Sequence, residues 1–154
     1  MQQRLTAVVG EDSYLVREGL VAVLMDGGIE VLSVAGDLDE LRDAVERDRP
    51  DVVVTDIRMP PTGTDEGIRI ARELAESHPE IGVVVLSQHA RAAYATEVFA
   101  AGNPRRAYLL KERLVLTTRA VEHHINSIFE KLDLHDPKTN RRVMATLVYT
   151  HGRD

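Results

Sequence analysis

Apolar residues along the first 110 positions fall into two alternating rhythms. Leu5 to Val9, Ile29 to Ala35, Val52 to Val54, Ile81 to Leu86 and Ala107 to Leu110 are short runs rich in β-branched and other apolar side chains. Runs of this kind, bounded by Gly, Pro and charged residues, predict buried strands. Between them the apolar positions recur at helical spacing. Val16, Leu20, Val23 and Leu24 predict a helix capped by Ser13 and stopped by Gly27 and Gly28. Asp37 with Glu40 three residues later resembles a capping box ahead of Leu41, Ala44 and Val45, and Pro50 ends that helix. Thr64 is the expected cap of a third helix, with Asp65 and Glu66 in its first turn and Ile68, Ala71, Leu74 and Ala75 on its buried face. Ala92, Ala95, Val98 and Phe99 mark a fourth, stopped by Gly102. Strand and helix alternate nearly five times over, which predicts an α/β fold: a parallel sheet with helices on both faces and right-handed crossovers.

This pattern gives the polar residues their meaning. Glu11, Asp12, Asp56, Ser87 and Lys111 all fall at the carboxyl ends of predicted strands, where open parallel sheets gather their ligands. Taken singly, each has a blander reading as a turn cap, a core residue or a solvated charge. Taken together they suggest a site. Three clustered carboxylates repel one another, and a hard divalent cation relieves that repulsion. Mg²⁺ suits one or two carboxylates plus a phosphate. Asp56 follows the most apolar strand, with Pro60 and Pro61 close behind, and is the best candidate nucleophile for an aspartyl phosphate. Lys111 could pair with phosphate oxygens and Ser87 could donate a hydrogen bond to one.

Composition narrows the classes. No cysteine is present, which excludes disulfides, thiolate metal sites and cysteine nucleophiles. There is no leader-like or membrane-length apolar run, so a soluble cytoplasmic protein without a membrane partner is expected. No Walker-type glycine loop supports nucleotide binding. His123 and His124 point about 100° apart on a helix and make a poor metal site. Residues 1–112 carry 12 Lys/Arg against 20 Asp/Glu, and residues 113–154 carry 7 against 5. An acidic body with a faintly basic tail is a weak pointer to a nucleic-acid-facing segment.

The series Glu11-Asp12, Asp56, Ser87 and Lys111, with Met59-Pro60 after the acceptor and Tyr108 three residues before the lysine, resembles the phosphoacceptor site of two-component response-regulator receiver domains. The resemblance spans roughly residues 4–112. It implies a flavodoxin-like doubly wound five-stranded sheet of order 2-1-3-4-5. It implies phosphate accepted on Asp56 from a sensor histidine kinase. Asp12, Asp56 and the Ile57 backbone carbonyl would bind Mg²⁺, and Glu11 would contact it through water. Ser87 and Tyr108 would form a switch pair, Tyr108 swinging inward on phosphorylation, with a homodimer as the activated form. Such a protein is not an enzyme beyond its own dephosphorylation. A haloacid-dehalogenase-like phosphatase would need a second acid where Arg58 stands.

The tail is organised differently. Val121, Ile125, Ile128, Phe129 and Leu132 make one apolar stripe on a helix over 117–132, and Val143, Met144, Leu147 and Val148 mark another over 141–150. At Val121, His124, Ile125, Ile128, Lys131 and Leu132 the first resembles the recognition helix of a LuxR-type helix-turn-helix domain, the second its final helix. By that resemblance Arg119, Glu122, His123 and Ser127 would face DNA. Only Glu112 to Leu116 lie between the receiver-like part and this helix, so a fifth receiver helix and two DNA-binding helices are missing. The expected organisation is a receiver over 1–112 and a LuxR-type remnant over 113–154, with transcription as output. The alternatives are that the helix starting near Thr117 serves as the receiver's fifth helix, and that the chain dimerises or titrates a kinase without binding DNA.

Overall fold

The computed structural model describes residues 4–88, 96–98 and 105–110, with the side chains of 109 and 110 left aside. The expected fourth helix falls largely outside these residues, and Lys111 and both tail helices fall wholly outside them. Eight elements are described: β1 (Thr6–Gly10), α1 (Tyr14–Asp26), β2 (Glu30–Ala35), α2 (Leu38–Asp48), β3 (Val52–Asp56), α3 (Glu66–Ser77), β4 (Gly82–Ser87) and β5 (Arg106–Leu110). The strands form one sheet in the order β2-β1-β3-β4-β5, and every pairing is parallel. This is the order that the resemblance implies.

The two faces of the sheet carry separate cores. Val8, Val53, Val83, Val85 and Tyr108 pack with α2 and α3 through Leu41, Val45, Ile68, Ala71 and Leu74. Ala7, Val9, Val52, Val54, Val84, Leu86 and Ala107 face the other way, with Leu20 and Leu24 of α1. Period-two alternation along each strand divides these sets, and both faces being covered explains why the strands read as continuous apolar runs.

Local sequence sets most boundaries as expected. Gly28, at φ 82°, closes α1 in the left-handed region, where a side chain would be strained. Asp37 accepts the Glu40 amide at 2.8 Å, and the Glu40 carboxylate reaches back to the Gly36 amide at 2.8 Å. Three expectations need correction. Gly10 does not bound the first strand from outside but is its last residue, inside the ladder. A Cβ there would stand 2.7 Å from Thr55 Oγ1 and 3.0 Å from Leu41 Cδ2, so only glycine lets α2 and β3 close over the strand end. Asp65, not Thr64, is the N-cap of α3. Val16 is exposed, because α1 turns Leu20 and Leu24 to the sheet and leaves its first turn in solvent.

Candidate functional site

Of the residues singled out at strand ends, Glu11, Asp12 and Asp56 converge where the sheet's register puts them. Gly10 pairs with Thr55 across β1 and β3, so Glu11 and Asp12, the next two residues, emerge beside Asp56, the last residue of β3. Across the next gap Asp56 pairs with Leu86, and Ser87 pairs with Leu110. One carboxylate oxygen each from Glu11, Asp12 and Asp56 can be chosen so that all lie within 4.8 Å of one another. Glu11 is 1% exposed and Asp56 9%, while Asp12 is exposed. The Glu11 carboxylate accepts the Ser13 amide at 3.1 Å, and its amide donates to the Ala35 carbonyl at 2.9 Å. One carboxylate is thereby fixed from two strands and the start of a helix. The donor set is all hard oxygen, closely spaced and open to solvent on the Asp12 side, which fits a small divalent cation better than a soft one.

The loop after Asp56 is held from both flanks. The Ile57 amide donates to the Leu86 carbonyl at 3.0 Å, and the Leu38 amide donates to the Pro60 carbonyl at 3.1 Å. The Ile57 carbonyl, expected to face a metal, accepts the Gly67 amide at 2.9 Å. It would therefore serve a metal only through its second lone pair. Ser87 and Tyr108 are both buried, and Tyr108 sits in the α2–α3 core. The ring expected to swing inward is thus already inside. Lys111 follows β5 directly, outside the described residues, as do Arg119, Glu122, His123 and Ser127.

Sequence reasoning missed two residues that shape this end of the sheet. Glu66, expected in the first helical turn as a match to the helix dipole, is 0% exposed. Burial alone would push its carboxyl up. The Thr62 hydroxyl, the Thr62 and Thr64 amides and its own amide outweigh burial and hold it at about 2. Thr62 and Thr64 donate these bonds at 2.9 and 3.0 Å through their amides, so the carboxylate closes the loop that carries Asp56 into α3. The pattern Thr62-x-Thr64-x-Glu66 was its only sequence signal. Unfolded, this carboxyl returns to about 4.5. Its contribution to stability is therefore complete above pH 4.5 and lost as pH falls through about 2. Glu66→Gln is expected to cost about 1–3 kcal/mol near neutrality, and the gap in urea midpoint from the parent should shrink on acidification towards pH 2. A gap constant with pH would refute this role.

Arg106, the first residue of β5, lies just outside the strand that the apolar pattern predicts from Ala107. Its guanidinium is fully buried and donates to the carbonyls of Ile81, Arg105 and Ala71 at 2.9, 2.8 and 3.1 Å. Burial brings its pKa down to about 10, so it remains charged at neutral pH.

Among the described residues no helix is long and apolar enough to cross a membrane. The family model for the response regulator receiver domain matches residues 7–114. The transcriptional regulatory protein DegU of Brevibacillus brevis is 34% identical over 112 residues, covering 72% of this chain and 45% of that protein. A protein-glutamate methylesterase/protein-glutamine glutaminase of Anaeromyxobacter dehalogenans is 44% identical over 86 residues, but the match covers only 23% of its length. The chain thus matches less than half the length of either relative. A LuxR-family DNA-binding response regulator from Staphylococcus aureus superposes with a TM-score of 0.67 at 25% identity, covering 80% of this chain and 98% of that structure. With its sheet order, its acid cluster and a family match over most of its length, this chain belongs to the response regulator receiver domain family.

Proposed function

We propose that this chain is a phosphorylation switch in which Asp56 takes a phosphoryl group from a sensor histidine kinase. The observation that carries the reading is the trio Glu11, Asp12 and Asp56 within 4.8 Å at the carboxyl rim of the sheet, with the acceptor at the end of a wholly buried strand. An Asp56 carboxylate oxygen attacks phosphorus as the bond to the kinase imidazole breaks, and the imidazole leaves with the electron pair. Asp12 and Asp56 would hold Mg²⁺ directly, with Glu11 acting through water. Held there, Mg²⁺ supplies charge neutralisation and in-line alignment of the phosphoryl oxygens. Ser87 donates to one phosphoryl oxygen and Lys111 pairs with another. Asp56 thereby gains a dianion, which biases the Ser87–Tyr108 pair and favours a homodimer. The setting is the cytoplasm, and the chain's part is regulatory rather than enzymatic.

Output to transcription is supported by the likeness to the transcriptional regulatory protein DegU, of which this chain matches 45%. In this reading residues 1–112 receive the phosphate and residues 113–154 deliver the signal to DNA. The short spacer from Glu112 to Leu116 favours the second reading, a receiver that dimerises or occupies a kinase without touching DNA.

Incubation with acetyl phosphate and Mg²⁺ should add one phosphoryl mass to the chain, and chelation of Mg²⁺ should prevent it. The same samples on a sizing column should move toward a dimer. Incorporation indifferent to chelation would remove the metal from the reading, and no incorporation with Mg²⁺ present would remove the acceptor.

A further inference from the structure

The wall of the candidate cation site that follows Asp56 is backbone. The Ile57 peptide is held at two points: its amide donates to the Leu86 carbonyl at 3.0 Å, and its carbonyl accepts the Gly67 amide at 2.9 Å. Gly67 leaves no room for a Cβ against the Asp56 carbonyl and Ile57 Cα. The first turn of α3 therefore lies directly on the Asp56–Ile57 backbone, and a displacement of one is a displacement of the other.

Something must seat that turn closely, because a metal site tolerates only about 0.5 Å of misplacement. Ile68, Ala71 and Leu74 pack into the core, but apolar packing is non-directional. It holds α3 to the sheet without fixing the entry of the chain into its first turn. The N-cap does not fix it either, since Asp65 makes no side-chain capping bond. The directed bonds come from Glu66. One of its carboxylate oxygens accepts the Thr62 amide at 2.9 Å and the Thr62 hydroxyl at 2.5 Å, and the other accepts the Thr64 amide at 3.0 Å. The side chain is wholly buried, which strengthens these bonds. Between the two threonines the Gly63 amide donates to the carbonyl of buried Met59 at 2.9 Å. One carboxylate thus gathers the end of the loop onto the start of the helix.

We propose that Glu66 is a positioning residue for the cation, resting on the reading of Glu11, Asp12 and Asp56 as a Mg²⁺ site. By taking Thr62 and Thr64 on its two oxygens it seats the first turn of α3, and through the Gly67 amide it sets the orientation of the Ile57 carbonyl next to Asp56. Both oxygens are needed as acceptors. A glutamine offers one acceptor and one donor, so it cannot serve the Thr62 and Thr64 amides together. The loss would be felt at the cation as well as in stability, because groups that orient a ligand tune the metal it holds.

The test titrates Mg²⁺ into the full chain with no phosphoryl donor and follows native-state backbone amide shifts. Glu66→Gln should raise the dissociation constant about tenfold and move the Gly67 amide proton upfield as its bond to Ile57 lengthens. Thr62→Val keeps the charge, loses one bond and should raise the constant about twofold or more. Asp65→Asn removes a charge from the neighbouring position and leaves the Glu66 bonds in place. Asp51→Ala loses the bonds to the Thr6 amide and hydroxyl at the opposite end of the sheet, and so weakens the fold elsewhere. Neither control should change the constant. A parent-like constant in Glu66→Gln or Thr62→Val would overturn the proposal. So would a tenfold rise in Asp65→Asn, which would make charge alone the cause, or in Asp51→Ala, which would make it general instability. Should Glu66→Gln fail to fold, Thr62→Val decides. A parent that binds no Mg²⁺ would remove the cation reading, and this inference with it.

Discussion

Phosphoryl incorporation is expected to fall to background when Asp56 is replaced by alanine. The reason is positional as well as chemical. Glu11 and Asp12 are carboxylates too, but Glu11 is 1% exposed and its carboxylate is engaged by the Ser13 amide, and Asp12 projects from a loop rather than from a strand end. Asp56 alone is delivered by a strand buried at every position and followed by a loop tied to β4 and α2. Rigid delivery matters because in-line attack tolerates little misplacement. The fold should survive the substitution and even gain slightly, since one of three mutually repelling charges is removed. Asp12→Ala should instead leave the nucleophile in place and raise the Mg²⁺ concentration needed for labelling. Mass spectrometry of the intact chain reads both, and label persisting on the Asp56→Ala variant would sink the assignment.

The second large effect is structural. Gly67 occupies the first turn of α3, and a Cβ there would stand 2.2 Å from the Asp56 carbonyl oxygen and 2.9 Å from both the Asp56 carbonyl carbon and Ile57 Cα. These are backbone atoms of Asp56 and Ile57, so no side chain can move aside. The Gly67 amide also donates to the Ile57 carbonyl at 2.9 Å, which fixes the approach. Gly67→Ala must push α3 away from β3, at a cost of about 3 kcal/mol or more. A fall in urea midpoint of about 1–3 M is expected, together with slower labelling of Asp56 as its peptide shifts. Gly19→Ala in α1 is the control. No heavy atom within 4 Å crowds a Cβ there, and better helix propensity should stabilise the chain by about 0.5–1 kcal/mol. Equal midpoints for the Gly67 variant and the parent would show that the close approach is not real.

What the sequence made legible, and what it hid, follow from how local each cause is. Strand runs, the glycine stop at Gly28 and the Asp37 cap depend on neighbours in the chain, and these elements stand where the pattern placed them. Asp56 and the Glu11-Asp12 pair were legible because a parallel sheet aligns its strand ends without further information. Glu66, Arg106 and Gly10 were not. Arg106 and Gly10 take their environments from elements distant in sequence: Arg106 bonds to Ala71 and Ile81, and Gly10 lies under Leu41 and Thr55. Glu66 has its partners nearby, in Thr62 and Thr64, but its burial comes from the fold. A buried charge looks like a surface charge until its partners are known. The Thr64 cap failed for a related reason: Glu66 turns inward and accepts the Thr62 and Thr64 amides, while the Thr64 hydroxyl is engaged with the Thr62 hydroxyl and the Asp65 carboxylate.

The Arg106 guanidinium also limits how a change at the carboxyl rim of the sheet could travel. Its three carbonyl partners belong to α3, to the entry into β4 and to its own neighbour. Sliding β5 along β4 would part a buried cation from the Ile81 and Ala71 carbonyls. The strand is in effect bolted at its foot. Displacement near Tyr108 can then only be a flexing whose amplitude grows toward Leu110, a lever with its fulcrum far from the phosphate.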